Sequence, residues 1–471
     1  MPQQEHPNLV FVIADQLRYQ ACGYSGETRA RTPNIDRLAT EGINFENAVT
    51  VSPVCGPTRA CLFTGKYPTS TGFFRNDIRC MPDPDAIGHI LTQAGYQTAY
   101  IGKWHLYGRE SDEQYIPPGK YRLGFDDFWA SYAWNDDYYS SFYYRDSDAR
   151  EVMDGFQSDY LTTMGLHYLE QRDKTRPFAL FLSTDVPHPP LMRDNAPPDH
   201  YANFEQMDFS DLLYATDELF EQFTPAFDRQ WQYDHIIAPH HEQCCAYYAM
   251  ISNVDDNVGR LLAYLDEHQL SENTIFVFTS DHGEMLGAHG RGNKRIFYEE
   301  SIRVPFLLRW TDHIKSDTLT DVFMNTPDIA PTLIDLLNLS VPIGMEGFNY
   351  APFIRGEIGG EDIPQFAFMQ MLQCQKLNHH EEWRGIRDGD FLYARLLRNG
   401  KEFLFNHKDD PQEMNNLVNE QEHQAALLHY RTLLEGSATK LNDEMHLPEW
   451  YEAHWLEDGC VVRSATRQLD E

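Results

Sequence analysis

Asn8-Leu9-Val10-Phe11-Val12-Ile13-Ala14 is an unbroken apolar run that stops abruptly at Asp15 and Gln16. Apolar residues in succession, without polar alternation, mark a strand buried on both faces, as in a parallel sheet covered by helices. Two further runs repeat the pattern. Phe178-Ala179-Leu180-Phe181-Leu182 leads into Thr184-Asp185-Val186-Pro187-His188, and Thr274-Ile275-Phe276-Val277-Phe278 leads into Thr279-Ser280-Asp281-His282. Helical signals lie between them: Thr32-Pro33 supplies a helix start with proline in the first turn, and residues 247–265 have helical apolar spacing. The alternation predicts an α/β fold, a doubly wound and mostly parallel sheet with helices on both faces. Polar groups at the carboxyl ends of such strands gather on one edge, where ligands bind. From about Phe366 the pattern changes to short strand-like pieces at 391–395 and 402–405 around the turn residues Arg398-Asn399-Gly400. A helical stretch with Leu427, Leu428, Leu433 and Leu434 follows. The chain is thereby expected to divide into a large unit, 1–365, and a smaller C-terminal α+β unit, 366–471, with a short antiparallel sheet packed against the first.

The 38 Lys and Arg against 72 Asp and Glu give a net charge of −34, which argues against nucleic acid or an anionic membrane as a partner. An anionic substrate would then need positive charge concentrated locally. No apolar run is long enough to span a bilayer, and the first one follows Gln3, Gln4, Glu5 and His6 where a secretory leader would carry positive charge, so the expected location is cytoplasmic. Eight cysteines, at 22, 55, 61, 80, 244, 245, 374 and 460, are too sparse for a disulfide scaffold and form no paired Cys-x-x-Cys motif. They are expected to be reduced thiols, with the adjacent Cys244 and Cys245 serving as packing residues. An aromatic-rich insertion, Asn135-Asp136-Asp137-Tyr138-Tyr139 with Phe142-Tyr143-Tyr144-Arg145, is either a pocket-lining loop or one buried under its own rings.

The chemistry centres on Pro53-Val54-Cys55-Gly56-Pro57-Thr58-Arg59-Ala60-Cys61-Leu62-Phe63-Thr64-Gly65. This segment resembles the signature at which type I sulfatases, members of the alkaline-phosphatase-like superfamily, convert a cysteine into formylglycine (3-oxoalanine). The resemblance extends from Asn8 to about Leu417 through Gly102-Lys103-Trp104-His105, Tyr298-Glu299-Glu300-Ser301-Ile302-Arg303-Val304-Pro305 and Trp383-Arg384-Gly385-Ile386-Arg387. It implies that Cys55 is a precursor whose hydrated aldehyde attacks sulfur with one hydroxyl and releases sulfate through the other. Asp15, Asp281, His282 and the residue derived from Cys55 are the implied ligands of one divalent cation, with Gln16 standing where many relatives have a second carboxylate. Hard oxygen donors suit Ca²⁺ first, with Mg²⁺ as an alternative, and His282 brings in Mn²⁺. Arg59 would hold the diol. Lys103 would contact nucleophile and sulfate, His105 the diol, His188 the ester oxygen, and Lys294 would protonate the leaving group.

The implied partners are a small sulfated sugar, aryl or alkyl substrate and a formylglycine-generating enzyme. A phosphonate monoester or phosphodiester hydrolase using the same nucleophile is the alternative, against which the Lys103-x-His105 element speaks, since that branch tends to lack it. A catalytically silent ligand-binding relative is the other. His289 lies near the site in sequence and receives no role.

Overall fold

In the computed structural model, which describes residues 6–108, 113–214, 233–372 and 382–469, the three apolar runs form adjacent parallel strands at the centre of an eight-stranded sheet. Its strands are β1 (Asn8–Ala14), β2 (Ile43–Phe45), β3 (Gln97–Lys103), β4 (Phe128–Tyr132), β7 (Phe178–Ser183), β8 (Thr274–Ser280), β9 (Phe306–Arg309) and β10 (Thr318–Thr320). β5 (Phe142–Tyr143) and β6 (Glu151–Val152) form a separate hairpin in the aromatic insertion. The order across the sheet is β10-β2-β9-β8-β1-β7-β3-β4, with only β9 antiparallel to its neighbours. The sheet is thus mixed and mostly parallel.

Side chains alternate across a strand, so β1 feeds two cores. Leu9, Phe11 and Ile13 enter one, with Leu62 and Phe63 of the Cys55–Thr64 helix and Leu333 and Leu336 of the Thr326–Leu336 helix. Val10, Val12 and Ala14 enter the other, with Leu161 of the Gln157–Gln171 helix and Tyr247 and Leu261 of the His240–Glu267 helix. Burial on both faces explains why β1 carries no polar residue between Leu9 and Ala14.

Four antiparallel strands, β11 (Phe366–Met371), β12 (Trp383–Asp388), β13 (Phe391–Leu396) and β14 (Glu402–Asn406), make a second sheet. One face takes Leu427, Tyr430, Leu434 and Ala438 of the Gln424–Lys440 helix, and the other packs on Met285, Ile296, Phe297 and Tyr298 from the loop after β8. The last residues return to the first core, where Tyr451 and Trp455 are buried and Val461 N–H donates to Arg79 O. A buried ion pair, Arg384 Nε to Asp443 Oδ2 at 2.5 Å, ties this returning segment to β12. The cysteines at 22, 55, 61, 80, 244, 245 and 460 are free thiols, whereas Cys374 lies outside the described residues. No helix among the described residues is long and apolar enough to cross a membrane.

Candidate active site

β8, β1, β7 and β3 are neighbours, and their carboxyl ends carry Asp281 and His282, Asp15 and Gln16, Asp185, and Lys103. Parallel pairing delivers all of them to one edge of the sheet. The Cys55–Thr64 helix begins over that edge, placing Cys55 in its first turn and Arg59 one turn on, on the same face. Gly56 permits the approach, since a Cβ there would lie 2.5 Å from Phe73 and 3.0 Å from His105 O. Gly102 is needed just before Lys103, where φ is +103° and a Cβ would sit 1.8 Å from Ser183 O.

Ligand atoms of Asp15, Cys55, Asp281 and His282 lie within 4.8 Å of one another, and all four residues are buried. Cys55 Sγ is 3.1 Å from His282 Nε2 and 3.7 Å from Asp15 Oδ1. His282 Nδ1 lies 3.1 Å from Gly283 O, a pure acceptor, so Nδ1 carries a proton and Nε2 is turned into the cluster, where burial lowers the ring's pKa but Asp281 and Cys55 outweigh it and raise it. Asp281 Oδ1 accepts the backbone N–H groups of Gln16 and His282, which fixes the carboxylate. Two carboxylates and an imidazole lone pair fit a divalent cation. The thiol is the soft member of an otherwise hard set, and an oxygen at position 55 would make the set consistent.

Cations ring this cluster. Lys103 Nζ is 2.5 Å from Asp15 Oδ2 and 3.4 Å from Asp185 Oδ1. Arg59, fully buried, donates from Nε to Asp281 Oδ2 at 2.9 Å and from Nη1 to Ser183 Oγ at 2.7 Å and Lys103 O at 3.0 Å. Lys294 Nζ lies 3.5 Å from Cys55 Sγ and donates to Gln16 Oε1. Burial pushes the Cys55 thiol up, but Lys294, Lys103 and His282 outweigh it and hold the group well below the ordinary thiol range. Burial and Cys55 likewise raise Asp15, and Lys103, His188 and Lys294 overcome them and keep it ionised. Position 55 is therefore built to carry negative charge in a dry pocket. His105 is driven the other way, its pKa lowered chiefly by burial, and remains neutral.

The remaining sites named from sequence also fall here. His188, partly exposed, has Nδ1 2.6 Å from Pro189 O and 3.7 Å from Asp136 Oδ1. Tyr138 of the aromatic insertion is buried and donates to His188 O at 2.6 Å, so that loop supports the site. The Gln16 amide is fully engaged: its nitrogen donates to Glu284 and to Asn293 Oδ1 at 3.3 Å, and its oxygen holds Lys294. His289 is not part of this cluster.

Sequence reasoning assigned nothing to Asp185, Tyr132 or Glu284. Asp185 follows β7 as Asp15 follows β1, so the strand-end rule already marked it; it pairs with Lys103, accepts from Tyr132, and burial raises it to about 6. Glu284 carried no such signal. Its Oε1 accepts from Leu286 N at 3.0 Å and Asn293 N at 2.6 Å, clamping the loop that brings Lys294 back.

The Sulfatase family model matches residues 7–339, and a second, the N-sulphoglucosamine sulphohydrolase C-terminal family, matches 287–440. The chain is 34% identical to an ulvan-active sulfatase of Formosa agariphila over 94% of this chain and 83% of that protein. It is 29% identical to an N-acetylglucosamine-6-O-sulfatase of Bacteroides thetaiotaomicron, over 94% of this chain and 88% of the other. A solved structure holding its substrate, D-glucosamine-2-N,6-O-disulfate, superposes with a TM-score of 0.81 at 27% identity, covering 93% of this chain and 99% of that one.

Proposed function

This chain belongs to the sulfatase family and is a sulfuric ester hydrolase, and from that premise we propose that its substrate is a sulfated saccharide and its nucleophile a formylglycine made from Cys55 and held on a divalent cation. One observation carries the reading: Asp15, Asp281 and His282 converge on residue 55 while Lys103 and Lys294 press positive charge on the same point. A sulfate monoester needs its anionic oxygens neutralised as charge builds on them, and buried cations do this best. The saccharide class rests on the substrates named for the relatives, a sulfated N-acetylglucosamine and a glucosamine disulfate.

The hydrated aldehyde would supply one hydroxyl that attacks sulfur and releases the alcohol, and a second whose loss of a proton re-forms the aldehyde and expels sulfate together with the first oxygen. Asp15, Asp281 and His282 would hold the cation, Ca²⁺ by its oxygen-rich donors, and Arg59 locks Asp281 in place beneath residue 55. Lys103 binds a sulfate oxygen with its own position fixed by Asp15 and Asp185. Neutral His105 takes the proton of the second hydroxyl. Lys294, anchored by Gln16, gives a proton to the leaving oxygen, and the partly exposed His188 hydrogen-bonds that oxygen. The partner required is a formylglycine-generating enzyme.

Peptide mapping of active enzyme should find the Cys55 peptide lighter by about 18 Da than its thiol form, the mass lost when an aldehyde replaces the thiol. Cys55→Ala should abolish turnover of sulfated sugars. Full activity with Cys55 quantitatively a thiol would defeat the reading, and preferential turnover of aryl phosphonate over aryl sulfate would reassign the enzyme to phosphorus chemistry.

A further inference from the structure

A second buried cluster lies where the loop after β8 meets the C-terminal sheet. His289, Glu300 and Glu413 place ligand atoms within 4.8 Å of one another, and all three are buried. They come from three segments: the loop that also carries Lys294, the short Glu299–Ile302 helix, and the turn after β14. His289 is 2% exposed, and neither ring nitrogen has a hydrogen-bond partner. Its ring is stacked on Tyr298 at 3.7 Å and met edgewise by Tyr214 at 5.3 Å, which fixes its plane without satisfying its nitrogens. An imidazole buried with both nitrogens unpaired forgoes the hydrogen bonds that would offset its desolvation.

Of the two carboxylates, Glu300 is the one short of a partner. Glu300 Oε1 accepts from Tyr214, and Oε2 accepts from nothing. Glu413 accepts from His407 Nε2 at 2.9 Å and from Glu299 N at 3.0 Å. Neither has a Lys or Arg within 4.0 Å among the described residues, whereas neighbouring Glu299 is paired with Arg387 at 3.0 Å and Arg303 at 3.7 Å. A buried carboxylate oxygen of Glu300 without a partner, beside an imidazole with free lone-pair capacity and with Glu413 paired only to His407 among the described residues, is a donor set that a cation would satisfy.

We propose that His289, Glu300 and Glu413 bind a second divalent cation of the zinc class, which staples the loop carrying Lys294 to the C-terminal sheet. One imidazole nitrogen and two carboxylate oxygens are three of the four donors of a zinc site, at bond lengths of about 2.0–2.2 Å, with water as the fourth. Three donors that include an imidazole suit four-coordinate zinc, whereas the active site adds an oxygen at position 55 to its donors and so approaches the higher coordination of Ca²⁺. Burial lowers the His289 pKa to about 3, so the ring is already in its ligand form. The ion's place is structural, remote from the reacting atoms.

The full-length enzyme, stripped with chelator and titrated with Zn²⁺ alone, should bind one Zn²⁺ per chain that survives Asp281→Asn and is lost in His289→Ala and in Glu413→Gln. Because either of the latter variants could fail to fold, wild-type crystals soaked in Zn²⁺ provide a second readout: an anomalous peak between the three side chains. A water molecule at that point, with no anomalous signal, would overturn the proposal. So would a single bound Zn²⁺ that disappears with Asp281→Asn. Neither result would touch the sulfatase reading, which depends on the Cys55 peptide.

Discussion

Lys294→Ala separates two jobs that one ammonium can do at this site. Lys294 Nζ is 3.5 Å from Cys55 Sγ, so it stabilises negative charge on the nucleophile whatever group departs. At that range an effective dielectric of about 20 gives roughly 5 kcal/mol as an upper bound for a unit-charge pair. Lys103 and Arg59 remain in the variant, so the loss common to all substrates should be well below that bound. If Lys294 also donates the proton, sugar and alkyl sulfates lose a further ~10²–10⁴-fold, or about 3–5 kcal/mol at roughly 1.4 kcal/mol per decade. Nitrophenyl sulfate, whose phenoxide needs no proton, escapes that second loss. The assay is kcat/KM for a series of esters of graded leaving-group basicity, with wild type and variant compared as a slope. The variant should be steeper. Parallel slopes, with every ester slowed by the same factor, would show that Lys294 only binds charge, and would transfer the acid role to His188.

Asp15→Asn and Asp281→Asn should each strip the active-site cation and with it turnover, measured by elemental analysis of purified protein; unchanged Ca²⁺ content in both would refute the ligand assignment. Asp443→Asn leaves the fully buried Arg384 without its counter-charge and should destabilise the protein by about 3–5 kcal/mol, read as a lowered denaturant midpoint at pH 7. Burial raises the Asp443 pKa but Arg384 outweighs it, so the folded value lies below the unfolded one of about 3.9. Its stabilisation is therefore complete above that value and fades as pH falls through the folded one, so the gap between wild type and variant should close below about pH 4. A gap constant with pH would contradict the pairing.

Sheet class and the strand-end places of Asp15 and Asp281 were legible in the chain because both follow from local pattern. Unbroken apolar runs such as 9–14 must be buried on two faces, and parallel pairing then sends Asp15 and Asp281 to one edge, whereas Cys55, Arg59 and Lys103 were singled out only by the family resemblance. The motif around Cys55 named a chemistry that composition and periodicity could not. What the chain could not disclose were contacts between segments far apart in sequence, because nothing local records which partner a polar side chain will meet. That Glu284 and Lys294, more than 260 residues away, take both ends of the Gln16 amide is written nowhere near Gln16 in the chain. Asp185 stands at a strand end by pattern, but its pairing with Lys103 appears only when β7 is set beside β3. His289 sits only five residues from Lys294, yet the fold turns the two rings of chemistry apart, one toward Cys55 and the other toward Glu300 and Glu413. Local sequence sets which face a residue occupies; only the packing of distant segments sets what it touches there.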